Sequence, residues 1–259
     1  MKPRADAARS HSAGRAVSRE TSSATNVRER TTPSAEETAR IGAPSVEDLL
    51  GDAYPRLRIF AQLLASDGVE RGLIGPREAT GLWERHILNS AAVAPHLPAR
   101  GTMIDLGSGA GLPGVVLACM RPDLRTVLLE PMERRVRWLH QVIDVLGLDS
   151  VEVVRARAQE LHGQLAVQVV TARAVAPLER LVGWALPLLA VGGELLAIKG
   201  RMAATEVATA EAVIERLGGG PAEIIRAGIT AGVPPTTVVR VVMRRREPEP
   251  VARRQRIGR

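Results

Sequence analysis

The run Met103–Gly114, M-I-D-L-G-S-G-A-G-L-P-G, constrains the fold of this chain more than any other segment. It predicts a strand over 102–106, a glycine-rich turn, and a helix that opens near Leu112. Glycine permits positive φ and lets the backbone approach a ligand closely. Asp105 precedes the turn, and a second acid, Glu130, ends the next apolar run. The pattern is typical of a nucleotide-like pocket at the carboxyl end of a parallel sheet.

Two ligands fit this pattern. The segment 109–114 matches the dinucleotide fingerprint G-x-G-x-x-G, and Glu130 lies near the expected distance for a ribose-binding acid. A dinucleotide places its pyrophosphate at the helix N-terminus, where Asp105 would repel it and Pro113 removes one N–H donor. S-adenosylmethionine has no phosphate and carries a sulfonium and an ammonium. The residues therefore favour the methyl donor, with a nicotinamide-dependent oxidoreductase as the alternative.

Five motifs occur in an order that resembles one enzyme family. That family is the bacterial small-subunit (16S) ribosomal RNA guanine-N7 methyltransferases, the RsmG (GidB) family, and the resemblance covers about residues 45–243. One departure is Glu130-Pro131, where the family often has Asp-Ser. The motifs are L-W-E-R-H-I-L-N-S (82–90), D-L-G-S-G-A-G-L-P-G (105–114), A-R-A-Q-E (156–160), T-A-R-A-V-A (171–176) and A-I-K-G (197–200).

The alternation of apolar runs and amphipathic stretches predicts an α/β fold. With the resemblance, it implies a class I (Rossmann-like) methyltransferase: a seven-stranded, mostly parallel sheet with an antiparallel edge hairpin. Two added N-terminal helices are predicted over 45–64 and 78–94. The predicted strands are 102–106, 125–130, 151–154, 167–171, 194–199, 222–227 and 236–243, and the later helices are 112–120, 132–146, 177–189 and 203–217.

Composition divides the chain into three parts. Residues 1–44 lack apolar periodicity and are predicted to be a disordered extension with eight Lys/Arg against five Asp/Glu. Residues 45–243 form the predicted S-adenosylmethionine-dependent methyltransferase domain. Residues 244–259 are predicted to be a basic disordered tail with seven Arg and two Glu. The net charge of +7 therefore belongs to the two ends, and any nucleic-acid contact by the body needs a local arginine patch, for which Arg134, Arg135 and Arg137 are candidates.

Several classes of protein are excluded by the same composition. No apolar run approaches eighteen residues, so no membrane partner is expected, and no secretory signal is recognisable. The single Cys119 cannot form an intrachain disulfide, and no residue cluster has metal-ligand spacing. We expect a cytoplasmic monomer without a bound metal, whose partner is 16S ribosomal RNA or the small ribosomal subunit.

The candidate site residues follow from the motifs and the resemblance. Arg173 and Lys199 are predicted to be catalytic, although each could instead neutralise a buried acid. His86 lies on an apolar helix face and is expected to be a buried packing residue. Guanine N7 carries a lone pair and no proton, so methylation there requires no general base. The residues predicted to bind S-adenosylmethionine are Asp105, Gly107, Gly109, Gly111, Leu112, Glu130, Ala158, Gln159 and Arg173.

Overall fold

The computed structural model describes residues 45–228 and 234–245. The predicted extension 1–44 and nearly all of the predicted tail 244–259 lie outside these ranges. The described residues are built around one seven-stranded sheet with the spatial order β3-β2-β1-β4-β5-β7-β6. Its strands are β1 Thr102–Leu106, β2 Arg125–Leu129, β3 Val151–Val154, β4 Val167–Arg173, β5 Leu189–Lys199, β6 Glu223–Ala227 and β7 Thr236–Val242.

The pairing of the strands confirms the predicted fold class. The first five strands pair in parallel, and β7 pairs antiparallel with both β5 and β6. The order reverses at β1, which lies between β2 and β4. Parallel sheets of this kind hold ligands beyond the carboxyl ends of the strands at such a reversal. Residues that follow β1, β2 and β4 therefore meet at one edge.

Helices cover both faces of the sheet. On one face, α7 and α8 pack over apolar residues of β1, β4 and β5; on the other, the N-terminal segments and α5 and α6 form a second core. The helices are α1 Val46–Leu50, α2 Tyr54–Leu63, α3 Pro76–Ala79, α4 Asn89–Ala91, α5 Gly114–Met120, α6 Glu133–Leu146, α7 Leu178–Ala185 and α8 Ala203–Arg216.

Helix α6 shows how the sequence specifies a helix that supports the site. Val136, Leu139, Val142 and Leu146 recur every three or four residues, and all are buried. The helix ends at Gly147, whose φ of +59° is a left-handed conformation that glycine adopts without a steric penalty. Full burial of a side chain such as Leu139 stabilises the fold by about 1.5–3 kcal/mol.

The N-terminal segments differ from the two continuous helices that periodicity predicts. The first begins as predicted, with Ser45 and Asp48 forming a reciprocal capping box. Gly51 then adopts a φ of +50°, and the chain continues through a 3-10 turn into α2 and a wider π-helical turn over Leu64–Gly68. The second is a series of short pieces that includes a π-helical segment over Trp83–Leu88. Apolar spacing does not register these local changes in winding.

Other boundaries shift by a few residues. Helix α5 begins at Gly114 rather than near residue 112, and β5 begins at Leu189 rather than at 194. A short 3-10 turn over Ala158–Leu161, absent from the prediction, follows β3. These differences leave the order of elements unchanged.

Candidate active site

A cavity of about 510 Å³ lies at the carboxyl edge of the sheet. Segments that follow β1, β2, β3 and β4 converge on it, as the strand order requires. Its described lining residues are Leu106, Gly107, Leu129, Glu130, Pro131, Met132, Arg135, Ala156, Arg157, Ala158, Gln159, Ala174, Val175, Arg180 and Trp184.

Glu130 is the acid in this lining, and its carboxylate is held in place by backbone donors. The Gly109 N–H donates to Oε2 at 3.0 Å, and the Met132 N–H donates to Oε1 at 2.9 Å. The side chain is only 2% exposed, and Arg135 Nη1 lies 3.7 Å from Oε2. A carboxylate has about four lone-pair sites, so both oxygens keep capacity for further donors. Glu130 can therefore accept bonds from a ligand without moving.

Asp105 lies beneath the cavity rather than in its lining. Its carboxylate accepts the Gly114 N–H at 3.1 Å and the Thr171 hydroxyl at 2.9 Å, and the residue is fully buried. Burial raises the pKa of Asp105 to about 6, while its hydrogen bonds oppose that rise. The acid thus ties the start of α5 to β1 and β4.

The glycines allow this turn to fit between the strands and the helices. Gly107 and Gly111 have φ of +71° and +100°, and a Cβ on Gly107 would lie 2.9 Å from Val175. A Cβ on Gly111 would lie 2.7 Å from Val115. Gly109 has a φ of +55°, and its N–H donates to Glu130, which lines the cavity.

Most backbone N–H groups of the turn already have partners. The Gly107 and Ser108 N–H groups donate to Leu129 O, while the Gly111 and Leu112 N–H groups donate to Ser108 O. The Gly114 N–H donates to Asp105, and proline at 113 has no N–H. The start of α5 therefore offers little to an anion, unlike a phosphate-binding loop. Leu112 itself is buried in the apolar core.

Ala158 and Gln159 form the wall of the cavity that follows β3. Ala158 is buried and Gln159 is exposed, and both belong to the 3-10 turn. An amide at this position can both donate to and accept from a heterocyclic base. Of the predicted cofactor residues, Gly107, Glu130, Ala158 and Gln159 line the cavity.

Arg173 does not line the cavity. It does not form a hydrogen bond with a buried acid of the described residues either, which was the alternative to a catalytic role. Its guanidinium donates to Arg85 O and His86 O, both at 3.3 Å, to Ser90 Oγ at 3.4 Å, and to His86 Nδ1. Burial lowers the pKa of Arg173, and the charges of Glu78 and Asp105 oppose that change. The end of β4 is thereby joined to the segment Trp83–Leu88.

His86 is buried, as expected, and its ring takes part in this junction. Because arginine can only donate, Nδ1 must be the accepting nitrogen and Nε2 carries the proton. Nε2 has no hydrogen-bond partner among the described residues. Burial and, secondly, the charge of Arg173 lower the pKa of His86, which keeps the ring neutral.

Lys199 also lies outside the cavity. Its ammonium donates to Ala176 O at 2.8 Å and to Glu206 Oε2 at 2.7 Å, and its side chain is 8% exposed. The Leu178 N–H donates to the same Glu206 oxygen. Lys199 therefore neutralises an acid, Glu206, which was the alternative to a catalytic role. Through Glu206 it also fixes the first residue of α7. A phosphate contact by Lys199 stays a prediction.

The structure adds residues that sequence reasoning missed. Arg180 and Trp184 of α7 line the cavity, with the guanidinium carbon 5.2 Å from the ring centroid. Ala174, next to Arg173, has a φ of +54°, a conformation that is uncommon outside glycine. The indole N–H of Trp138 donates to Ala110 O at 3.0 Å and so supports the glycine turn from α6. The four-residue spacing of Arg180 and Trp184 on a predicted helix could have indicated that the two side chains are neighbours.

Metal-binding and membrane-spanning features are absent from the part of the chain that the structure describes. There, no group of three or more His, Cys, Asp or Glu side chains could hold a metal ion. No helix in the same residues is long and apolar enough to cross a membrane.

Comparison with known proteins gives consistent matches. Residues 53–228 match the family described as rRNA small subunit methyltransferase G. The chain is 51% identical to "Ribosomal RNA small subunit methyltransferase G" of Nocardioides sp. over 204 residues, which cover 77% of this chain and 82% of that protein. It is 50% identical to the protein of the same name from Thermobifida fusca, over 78% of this chain and 86% of that one.

Solved structures share the same architecture. The chain resembles the S-adenosylmethionine-dependent methyltransferase SibL in its apo form, with a TM-score of 0.53 and 16% identity. The match covers 76% of this chain and 70% of that one. At this level of identity, the likeness concerns the fold.

Proposed function

Because this chain belongs to the ribosomal RNA small subunit methyltransferase G family, we propose that it transfers a methyl group from S-adenosylmethionine to N7 of a guanine in 16S ribosomal RNA. The names of its relatives support ribosomal RNA of the small subunit as substrate. The observation that carries the choice of cofactor is a cavity with a preorganised carboxylate beside a turn most of whose N–H donors already have partners.

The cavity fits the parts of S-adenosylmethionine. Glu130 retains lone pairs for the two ribose hydroxyls while two backbone N–H groups fix its orientation. Gln159 can bind the adenine edge, and Ala158 provides an apolar surface beside it. Gly107 lets the backbone approach the methionine portion. The remaining predicted cofactor residues of this segment do not contact the cofactor directly in this proposal. They shape the turn: Asp105, Gly109, Gly111 and Leu112.

The same geometry argues against the oxidoreductase alternative. A dinucleotide needs free N–H groups at the helix start for its pyrophosphate. Here the Gly114 N–H is bound to the buried Asp105, and the Gly111 and Leu112 N–H groups are bound to Ser108 O. A pyrophosphate would have to displace these bonds and lie near two carboxyl groups. The methyl donor requires neither change.

The reaction needs positioning rather than proton transfer. The cofactor, when bound, supplies an electrophilic methyl group on a sulfonium. Guanine N7 attacks with its lone pair, so the protein's contribution is to hold N7 in line at about 3–3.5 Å from that methyl carbon. The positive charge passes from the sulfonium to the methylated guanine ring, where it is delocalised, and apolar residues such as Leu106, Leu129 and Val175 do not hold that charge on the sulfur.

Arg173 and Lys199 enter the proposal in different ways. Ala174 and Val175, which follow Arg173 in the chain, line the cavity, whereas the guanidinium contacts residues 85–90. We expect Arg173 to contact guanine O6, a phosphate or the cofactor side, because a donor on N7 would block the reacting lone pair. Lys199 supports the site through Glu206 and the start of α7.

The test combines cofactor binding with mapping of the modified base. The full chain is incubated with methyl-labelled S-adenosylmethionine and unmethylated 16S ribosomal RNA or small subunits, followed by chemical cleavage at 7-methylguanosine. Glu130→Ala should weaken cofactor binding at least tenfold in calorimetry, since each bond to a charged group contributes about 1.5–3 kcal/mol. Glu152→Ala, an exposed acid on β3, is the control.

Two outcomes would contradict the proposal. One is label transfer to another atom or to no RNA at all. The other is binding of NAD but not of S-adenosylmethionine by the wild-type protein in the same calorimeter.

A further inference from the structure

Three arginines surround the proposed cofactor cavity. Arg135 comes from α6, Arg157 precedes the 3-10 turn, and Arg180 lies on α7. All three line the cavity, whereas Glu130 is the acid among its described lining residues. Since they come from three separate elements, the fold assembles this group, here called the rim arginines.

The rim arginines are poorly neutralised. Arg135 lies 3.7 Å from Glu130, whose oxygens already accept two backbone N–H groups. Within the described residues, no acid lies within 4 Å of the Arg157 or Arg180 guanidinium. Arg180 instead covers the ring of Trp184 at 5.2 Å.

Their neighbours behave differently. Glu133 of α6 lies 3.0 Å from Arg155 and 3.9 Å from Arg137. These two arginines share the carboxylate of Glu133, and neither lines the cavity. Of the candidate patch 134–137, Arg135 is the one that reaches the cavity.

The charge of the rim does not match that of the proposed cofactor. S-adenosylmethionine is a net cation, so three guanidinium groups beside one carboxylate do not favour its binding alone. Arginine clusters with free donors are suited to phosphate oxygens, which they bind in a fork geometry. The Trp184 ring lies in the same lining with the Arg180 guanidinium over it, and arginine and aromatic side chains occur together at sites that bind single-stranded nucleic acid. Together these features fit an RNA strand better than a small cation.

We propose that Arg135, Arg157 and Arg180 bind phosphates of the RNA segment that carries the target base, so that this segment lies across the mouth of the cofactor cavity. The inference rests on the proposed function and names the surface through which the substrate reaches it. Neutralisation of the rim by phosphates would also favour the cationic cofactor. Cofactor and RNA should therefore strengthen each other's binding by the same factor.

The experiment removes the three charges together. The variant R135Q/R157Q/R180Q and the wild type are titrated with in vitro transcribed 16S ribosomal RNA at several salt concentrations. Removing one arginine–phosphate interaction should reduce the slope of log K against log salt by about 0.7 for single-stranded RNA. We expect a reduction of about 2 in the slope and at least tenfold weaker RNA binding at low salt. The affinity for S-adenosylmethionine without RNA should be unchanged or tighter.

A control variant carries the same change of net charge elsewhere. Arg100 and Arg125 lie at the amino end of the sheet, before β1 and at the start of β2, and Arg216 ends α8. All three are exposed, and R100Q/R125Q/R216Q should retain most of the RNA affinity and the salt slope. The melting temperature of both variants shows that they are folded.

Three results would overturn the inference. The first is a rim variant that loses cofactor affinity while its salt slope stays unchanged, because the arginines would then serve the cofactor's carboxylate. The second is an equal loss of RNA binding in both variants, which would indicate a net-charge effect. The third is an unchanged RNA titration in the rim variant. Failure of the proposed function would appear separately, as a wild-type protein that binds RNA but transfers no methyl group.

Discussion

At the scale of single residues, the two acids beside the glycine turn have different tasks. Glu130 lines the cavity with its oxygens oriented by Gly109 and Met132. Asp105 is fully buried and binds Gly114 and Thr171. Their positions at strand ends could be predicted from the sequence. The burial of Asp105 could not, because Thr171 comes from β4, which is far away along the chain.

Asp105 should make the protein less stable as pH rises through the mildly acidic range. Burial raises the pKa of Asp105 from an ordinary value of 3.8 to about 6. Between these values the folded state keeps a proton that the unfolded chain has lost, so the free energy of unfolding falls as pH increases, by about 3 kcal/mol in total. In Asp105→Asn this contribution is absent, since the Asn amide can face Thr171 Oγ1 as a protonated acid would.

Denaturant unfolding at several pH values between about 4 and 7 tests this prediction. The stability of Asp105→Asn relative to the wild type should increase with pH across that range. Asp149→Asn, which changes an exposed carboxyl group on another loop, is the control. A constant difference between Asp105→Asn and the wild type would contradict the assigned pKa direction.

His86 should act on Arg173 by accepting its hydrogen bond at Nδ1. The side-chain oxygen of asparagine can replace Nδ1, whereas leucine cannot. We therefore expect His86→Asn to retain more single-turnover methyl transfer than His86→Leu at equal folding.

Arg173→Lys should recover little of the single-turnover methyl transfer that is lost in Arg173→Ala, because an ammonium cannot form the same fork of bonds.

The pH dependence of His86 runs opposite to that of Asp105. Burial and Arg173 lower the pKa of His86, so the unfolded chain takes up a proton near pH 6.5 that the folded state does not. The free energy of unfolding therefore falls as pH decreases below about 6.5, and His86→Asn should lack this fall. His140→Asn, an exposed histidine on α6, is the control. Loss of the dependence in His140→Asn instead would refute the assignment.

At the scale of elements, the strands were the part of the fold that the sequence predicted best. Parallel strands buried on both faces are continuous apolar runs bounded by turns, and each predicted strand overlaps an observed one, although β5 begins five residues earlier than predicted. The N-terminal segments were predicted less well, because Gly51 and the π-helical turns interrupt the period without altering composition. The convergence of Arg180 and Trp184 with Glu130 depends on the connection from β4 to α7, which no local pattern encodes.

Helical glycines provide a matched test of how closely the elements pack. A Cβ on Gly114, at the start of α5, would lie 2.5 Å from both Asp105 Oδ2 and Leu128 Cδ2. Gly114→Ala should therefore destabilise the fold by about 1–3 kcal/mol through overpacking. A Cβ on Gly183, within α7, would meet no heavy atom within 4 Å.

Gly183→Ala should accordingly be neutral or stabilising, by up to about 1 kcal/mol from helix propensity alone. Chemical denaturation of both variants measures the difference. If Gly114→Ala were as stable as Gly183→Ala, α5 would not be packed against β1 and β2 as closely as the structure indicates.

At the scale of the whole molecule, charge and site are distributed differently along the chain. The net charge of +7 belongs to segments 1–44 and 244–259, which hold fifteen of the 35 Lys and Arg residues against seven of the 28 acids. The body between them is close to neutral and contains the proposed site. The contribution of the two end segments to RNA affinity and that of the rim arginines should therefore be separable by removing each group of charges in turn, because each phosphate contact that is lost reduces the salt dependence of binding.

Removal of residues 1–40 and 248–259 should lower RNA affinity mainly at low salt. The first segment contains eight Lys/Arg and five acids and the second four Arg and one Glu, so the shortened chain has a net charge of about +1 instead of +7. Titration with 16S ribosomal RNA at about 50 mM and 200 mM salt should show a large difference from the full chain at the lower concentration and a small one at the higher. The position of the methylated guanine should stay the same, because the rim arginines and Arg173 are retained. A shortened chain that methylates other guanines, or none while still binding S-adenosylmethionine, would show that the removed segments select the target.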